Sequence, residues 1–341
     1  MTTKQLIISA VVLFFSSLVS LAQDPVATLQ HKGVTQVFYG QNSFVEALTA
    51  AAKGDTLLLS AGGFTTPAAI DKGITIIGSG HFPDSVSVKT RTAIIGNLTI
   101  NKGADSLHLE GLYINGDINY DGASSINYVK VVRCRLGNAY FHSNSTAASK
   151  NNCSYEECYI EGSIQFYTYG NDLLVKHCII NGSISSISAN AVIDGNIFLN
   201  DYMCFVGVSS SAIRNNIFFK SSINIIIYSG SSNVCYNNIY VGNLDYGANG
   251  YGSDNYGNIP QADIFVNQTG NTLSYAHNYH LKNPEKYIGP DGTQVGLYGG
   301  AIPFKEKGLP SNPQIIRKSI GHQTDVNGNL PVNITVKAQA N

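Results

Sequence analysis

Seven six-residue segments of one pattern recur through the middle of this chain. They are Leu109-Glu-Gly-Leu112-Tyr-Ile114, Val131-Val-Arg-Cys134-Arg-Leu136, Tyr155-Glu-Glu-Cys158-Tyr-Ile160, Val175-Lys-His-Cys178-Ile-Ile180, Ile193-Asp-Gly-Asn196-Ile-Phe198, Ile213-Arg-Asn-Asn216-Ile-Phe218 and Cys235-Tyr-Asn-Asn238-Ile-Tyr240. Their fourth positions are spaced by 22, 24, 20, 18, 20 and 22 residues, a mean of 21. A unit this short cannot bury its own apolar side; it is stable only stacked on copies of itself. The segments are rich in β-branched residues and lack helical periodicity, so the repeat predicts one turn of a parallel β-solenoid. A leucine-rich repeat has a similar period but needs leucine at several fixed offsets, and none is fixed here.

Each offset has an expected role. The first and last residues point inward from two successive strands. The fourth (Leu112, Cys134, Cys158, Cys178, Asn196, Asn216, Asn238) sits at the bend. Asparagine there tolerates left-handed backbone and bonds its copy about 4.8 Å away in the next rung. The second row reads Glu110, Val132, Glu156, Lys176, Asp194, Arg214, Tyr236. Its alternating sign from Glu156 to Arg214 predicts a solvated salt-bridge ladder rather than a substrate groove. The fifth row turns apolar at Ile179, Ile197, Ile217 and Ile239, and the position after the hexad does so at Leu199, Phe219 and Val241. Late rungs are therefore apolar on both faces, and the C-terminal region is expected to cover them, the alternative being a partner surface. Three of the six cysteines share one ladder offset. They read as reduced, buried thiols, not a disulfide framework or a metal site.

The ends follow from the need to close a solenoid. Ser43-Phe-Val-Glu46 fits a capping box, so a cap helix is expected from about Ser43 to Lys53, with Gly54 as its stop. Rungs are expected at Thr56–Leu59, Ile74–Ile77 and Ala93–Ile100. About ten rungs would make a rod of about 50 Å. The stretch from Tyr246 to Asn258 reads as a loop leaving the repeat, and Gln314–Ile320 with Leu330–Lys337 as a hairpin around Asp325–Asn329. At the other end, Lys4 precedes an apolar run from Leu6 to Leu21 and the small-residue site Ser20-Leu21-Ala22. These predict a signal peptide over residues 1–22 and an exported protein, in the periplasm, at the cell surface or outside the cell. No later segment reaches transmembrane length. The expected partition is then signal peptide 1–22, solenoid with cap 23–258, closing segment 259–310 and hairpin tail 311–341. A formal net charge of -1 with 13% charged residues excludes a nucleic-acid binder, which needs a basic surface.

The strings GDTLLLSAGGFT (54–65), GITIIGSG (73–80) and the NNIF rungs resemble secreted right-handed parallel β-helix proteins of the pectin-lyase-like superfamily. Asn278-Tyr-His-Leu281 and the glycine-rich segment from Gly289 to Gly300 resemble the closing segment of such proteins, particularly from Bacteroidetes, although Gln294 stands where an aspartate is common. The resemblance implies an all-β, right-handed parallel β-helix over residues 26–304. It leaves activity open, because one fold carries lyases, hydrolases, esterases and inert scaffolds. The polygalacturonase motifs and the epimerase-type Asp-Pro-His-Asp motif are missing, and Gly54-Asp-Thr-Leu57 lacks the glutamine of pectin methylesterases. Glu156, Glu157, Asp194, Lys176 and Arg214 form no rung-to-rung carboxylate cluster for a calcium-dependent lyase. His277-Asn-Tyr-His280 has metal-like spacing without a third ligand, and Asp84-Ser-Val86 and Asp105-Ser-Leu107 resemble a Bacteroidetes O-glycosylation motif. The expectation is a non-catalytic surface scaffold that binds a polysaccharide or a surface protein, with no cofactor and no metal. The alternative is a polysaccharide lyase or glycoside hydrolase with a non-standard site, calcium entering only for a lyase. Tyr113, Arg135 and Tyr159, stacked on the outer fifth offset, and Tyr251 in the Gly/Tyr stretch are the candidate ligand contacts.

Overall fold

Each hexad folds as a strand, a one-residue left-handed corner and a second strand. In one rung, Lys130–Val132 is followed by Arg133 at φ 50 and then by Arg135–Leu136. The structure, a computed structural model, describes residues 24–83, 91–143, 148–199, 203–219, 227–242, 245–268, 270–311 and 313–337. The expected signal peptide and the Asp84-Ser-Val86 motif lie outside the described residues.

The chain is all-β, a parallel β-solenoid of about eight turns with three sheets. The first sheet stacks the strands before the corner, the second those after it, and the third sheet closes each turn. The first sheet continues at its N-terminal edge into two antiparallel strands, Val34–Tyr39 and Val26–His31, the latter paired with Thr56–Leu59. Ten parallel strands follow in that sheet, against nine in the second and seven in the third. Among the described residues the expected ten rungs are thus reached only in the first sheet; at the ends the other sheets continue as single bridges, Ile70 to Ile100 and Ile239 to Tyr256.

Left-handed backbone falls one position before the expected one. Gly111, Arg133, Glu157, His177, Gly195, Asn215 and Asn237, all third in their hexads, have φ between 50 and 68. Arginine, glutamate and histidine lose about 1–2 kcal/mol each in that conformation, so tertiary contacts hold them there. The fourth position carries the ladder instead. Asn196, Asn216 and Asn238 are fully buried. Each backbone N–H in the run Cys178, Asn196, Asn216 and Asn238 donates to the amide oxygen one rung ahead, at 2.8–2.9 Å, the last to Asn255. The amide nitrogens bridge to the carbonyls of Val175, Ile193 and Ile213 in the rung behind, at 2.8–2.9 Å. All six cysteines are buried and none is in a disulfide.

Asn255 belongs to the stretch expected to leave the repeat. Tyr251–Ser253 instead pairs in parallel with Val234–Tyr236 and forms a last rung, with Asp254 at φ 54 as its corner. Its inward position is Gly252, and a side chain there would collide with the Tyr246 ring, which closes the core at this end. At the other end the helix is Ser43–Ala50, shorter than expected. Asn42 occupies the N-cap without a side-chain bond, Ser43 is buried inside the first turn, and Ala51 is already extended. Lys72 Nζ stops the helix by donating to the Leu48 and Ala51 carbonyls, both at 2.9 Å, which satisfies acceptors left over at a helix end. The second-row ladder forms in part: Arg214 pairs with Asp194 at 3.1 Å, but Glu156 is taken by Lys130 at 3.0 Å.

The apolar late ladder is covered from within the chain. Ile179, Ile197, Ile217 and Ile239 are buried under Ile264, Phe265, Tyr279, Leu281, Tyr287 and Val295 of the closing segment. Beyond them a buried ion network fastens the segment to the solenoid corner. Arg133 bonds Glu157 Oε1 at 3.0 Å and Glu110 Oε1 at 3.2 Å. Glu157 Oε2 then accepts the Lys305 N–H, and Glu110 Oε1 the Ser311 N–H, at 2.9 and 2.8 Å. These contacts rationalise the left-handed Arg133 and Glu157. The tail forms the expected hairpin, Gln314–Ile320 against Val332–Lys337.

Candidate functional site

Tyr113, Arg135 and Tyr159 stack in register in the second sheet, as their offset requires. Their surroundings differ. Tyr159 is 5% exposed, under His81, Tyr275 and Phe304, with ring centroids 5.1, 5.2 and 5.9 Å away. Burial pushes its hydroxyl well above the ordinary tyrosine value, so it packs and does not face solvent. The Arg135 guanidinium lies 4.5 Å from the Tyr275 ring centroid and bonds Glu161. Tyr113 lies between Arg91, at 4.0 Å, and Arg135, at 5.8 Å. Tyr251, 65% exposed, is on the first sheet and is not brought to this group.

The third sheet carries an aromatic cluster that the hexads do not contain. Its outer row runs in register through Thr99, Asn119, Tyr140, Gln165, Ser185, Val206 and Tyr228. None of these residues is charged. Inside, Tyr120, Phe141 and Phe166 stack with centroids 3.9 and 4.0 Å apart, which holds the three strands in one register. Outside, Tyr140, His142 and Tyr167 form a ring cluster. His142 stacks on Tyr167 at 4.8 Å and 22°, Tyr140 lies 6.2 Å from Tyr167, and Tyr167 is 54% exposed. His142 Nε2 lies 3.3 Å from Asn119 Oδ1, which fixes the ring plane. The Tyr140 hydroxyl is raised by burial and by the Asp117 carboxylate, so it stays a neutral donor. Tyr228 stands four rungs from Tyr140 along the row, about 19 Å at the usual strand spacing. Ala139-Tyr-Phe-His142 and Ile164-Gln-Phe-Tyr167 hold the missed signal: inward residues alternate with outward polar or aromatic ones.

A second concavity lies where the closing segment crosses the first sheet's corner. It has a volume of about 180 Å³ and is lined by Lys176, His177, Asp194, Asn215, Asp291 and Thr293 among others. Burial lowers the His177 pKa to about 4, so the ring is neutral near pH 7. At its edge Asp194, Arg214 and Tyr236 are linked, with Arg214 Nη1 donating to the Tyr236 oxygen at 2.9 Å. That bond, followed by the Asp194 charge, raises the Arg214 pKa against its desolvation.

The two histidines with metal-like spacing diverge: His280 stacks on Tyr298 at 3.7 Å, while His277 sits beside Tyr279. Among the described residues there is no group of three or more His, Cys, Asp or Glu side chains placed to hold a metal. No described helix is long and apolar enough to cross a membrane. No protein family model matches the chain, and no curated protein matches it.

Proposed function

We propose that this chain is a non-catalytic scaffold, exported to the periplasm, cell surface or exterior, whose third sheet binds a neutral polysaccharide. The observation that carries the reading is the Tyr140–His142–Tyr167 ring cluster, whose Tyr140 stands on the uncharged outer row. Aromatic faces with amide and hydroxyl groups between them suit a sugar, which presents C–H faces and hydroxyl edges together. The row carries no cation, and after burial the nearby Asp117 carboxylate raises the Tyr140 pKa, which favours a neutral glycan over a pectate-like anion. Tyr228, about 19 Å along the row, gives an extended chain a second aromatic contact. Export rests on the leader pattern of residues 1–22, and membership of the pectin-lyase-like superfamily on the sequence resemblance.

The second reading, a polysaccharide lyase or glycoside hydrolase, is favoured by the Asp194–Arg214–Tyr236 trio. Two features weigh against it. A raised arginine pKa makes a poor proton acceptor, and the Asp194 carboxylate already accepts from Arg214 and Asn215. Calorimetric titration with soluble neutral and acidic polysaccharides tests both readings. We expect saturable binding to a neutral polymer, weakened about three- to tenfold by Tyr167→Ala, with no new reducing ends and no unsaturated product. Equal affinity in the variant overturns the binding face; turnover overturns the non-catalytic reading.

A further inference from the structure

We infer that the cleft between the solenoid corner and the closing segment is a separate binding site for a small polyhydroxylated ligand, a single saccharide residue or the free end of a chain. Two parts of the sequence build it. Lys176, His177, Asp194 and Asn215 come from three successive corners, and Asp291, Thr293 and Ala301 from the segment that crosses them. The Gly296 N–H donates to the Asn215 carbonyl at 2.8 Å and holds the two walls together.

The cleft leaves one donor and one acceptor unused. Neighbouring cations are paired, Lys130 with Glu156 and Arg214 with Asp194. Those pairings take up the carboxylates on both sides of Lys176 in register. Lys176 therefore lines the cleft without an ion-pair partner among the described residues. In the same lining, Asn215 Nδ2 donates to Asp194 Oδ1 at 2.8 Å, but the buried Oδ1 of Asn215 has no partner among the described residues. A buried acceptor left without a donor is unfavourable, and a donor from a ligand relieves it.

The other polar groups keep their charge and position without a ligand. Asp291 accepts from the Thr293 N–H and hydroxyl at 3.0 and 2.9 Å, which holds its carboxyl below the ordinary value. His177 is neutral, so the only unpaired cation in the lining is Lys176. A space of about 180 Å³ is several times the roughly 30 Å³ share of one water, yet below the range for a drug-sized ligand. An ammonium donor lining one small polar space and an unmet amide acceptor in its wall fit adjacent hydroxyls. A single anion or cation would satisfy only one of them.

The site is independent of the aromatic row, and the test keeps the two apart. Ligand-observed NMR on the full chain uses glucose, galactose, mannose, fucose, N-acetylglucosamine and glucuronate as probes. We expect saturation transfer to at least one of them, reduced at least fivefold in Lys176→Met and in Ala301→Leu and unchanged in Tyr167→Ala. Ala301 is on the exposed rim, so its variant narrows the cleft without disturbing the core. No transfer to any probe at millimolar concentration overturns the proposal. So does transfer that survives both cleft variants, or that disappears in Tyr167→Ala.

Discussion

Replacing Asn216 by alanine tests the ladder that fixes the rung corners. The side chain is fully buried. Its Oδ1 accepts from the Asn196 N–H at 2.9 Å and the Asn196 amide at 3.0 Å, and its Nδ2 donates to the Ile193 carbonyl at 2.8 Å and Asn238 Oδ1 at 3.1 Å. Asn196 Nδ2 keeps the Val175 carbonyl, and Asn238 Oδ1 keeps the Asn216 N–H. The Asn196 N–H loses its acceptor, whereas the Ile193 carbonyl loses the amide but stays in the parallel ladder with Ala212–Arg214. At about 1–3 kcal/mol for one buried orphan, with about 1 kcal/mol of cavity cost added, Asn216→Ala costs about 2–4 kcal/mol. For a chain of this size that lowers the melting midpoint by about 3–6 °C. Far-UV circular dichroism on heating reads it. Asn255→Ala is the control: Asn255 ends the ladder and is only half-buried, so water replaces its bonds. Its loss should be less than half as large. An Asn216→Ala midpoint within about 2 °C of wild type, or equal losses at Asn216 and Asn255, refutes the reasoning.

Four further outcomes follow from buried groups. Burial lowers the His81 pKa to about 3 from 6.5. The unfolded state therefore binds the extra proton, and stability is full above pH 6.5 and falls as pH drops toward 3. The slope is up to about 1.4 kcal/mol per pH unit for one such histidine; urea midpoints at pH 7 and 5 should separate less in His81→Gln than in wild type. Arg133→Met leaves Glu110 and Glu157 buried without their cation, a loss of about 3–5 kcal/mol, relieved when the closing segment detaches. Hydrogen exchange of residues 304–311 should accelerate while the central rungs stay protected. Glu110 is held below 4.5 by bonds from His108 and the Ser311 N–H and by the Arg133 charge, which outweigh its desolvation. Its stabilising contribution is thus complete above 4.5 and lost as pH falls through the lowered value, and the same segment should loosen in acid. Cys178→Asn should extend the amide ladder by one rung, because the Cys158 N–H already points at Cys178 Sγ at 3.4 Å. A melting midpoint equal to or above that of wild type supports this, and a loss comparable to that of Asn216→Ala contradicts it.

The hexads were legible because two strands and their corner keep a fixed length in every rung. The third sheet was not, since its strands vary from Ala139–Phe141 to Ile164–Asn171. A fixed-period alignment therefore misses Tyr140 and Tyr167. The left-handed corner was assigned one position late because Arg133, Glu157 and His177 are not residues that favour it; their buried surroundings override local preference. The last rung was hidden by Gly252, where the inward side chain is supplied from Tyr246. Cover for Ile179–Ile239 was legible from the loss of alternation alone. For the ligand contacts, the offset correctly stacked Tyr113, Arg135 and Tyr159, but no sequence signal placed Tyr275 and Phe304 over Tyr159.

The central claim is that the third sheet meets a glycan. Hydrogen exchange of the whole chain, with and without a saturating neutral polysaccharide, tests it most directly. Exchange is expected to slow mainly in peptides covering Ala139–Phe141 and Ile164–Asn171, extending along the row toward Tyr228. Protection confined to the second sheet around Tyr113 and Arg135, or no protection with any neutral polymer, contradicts it.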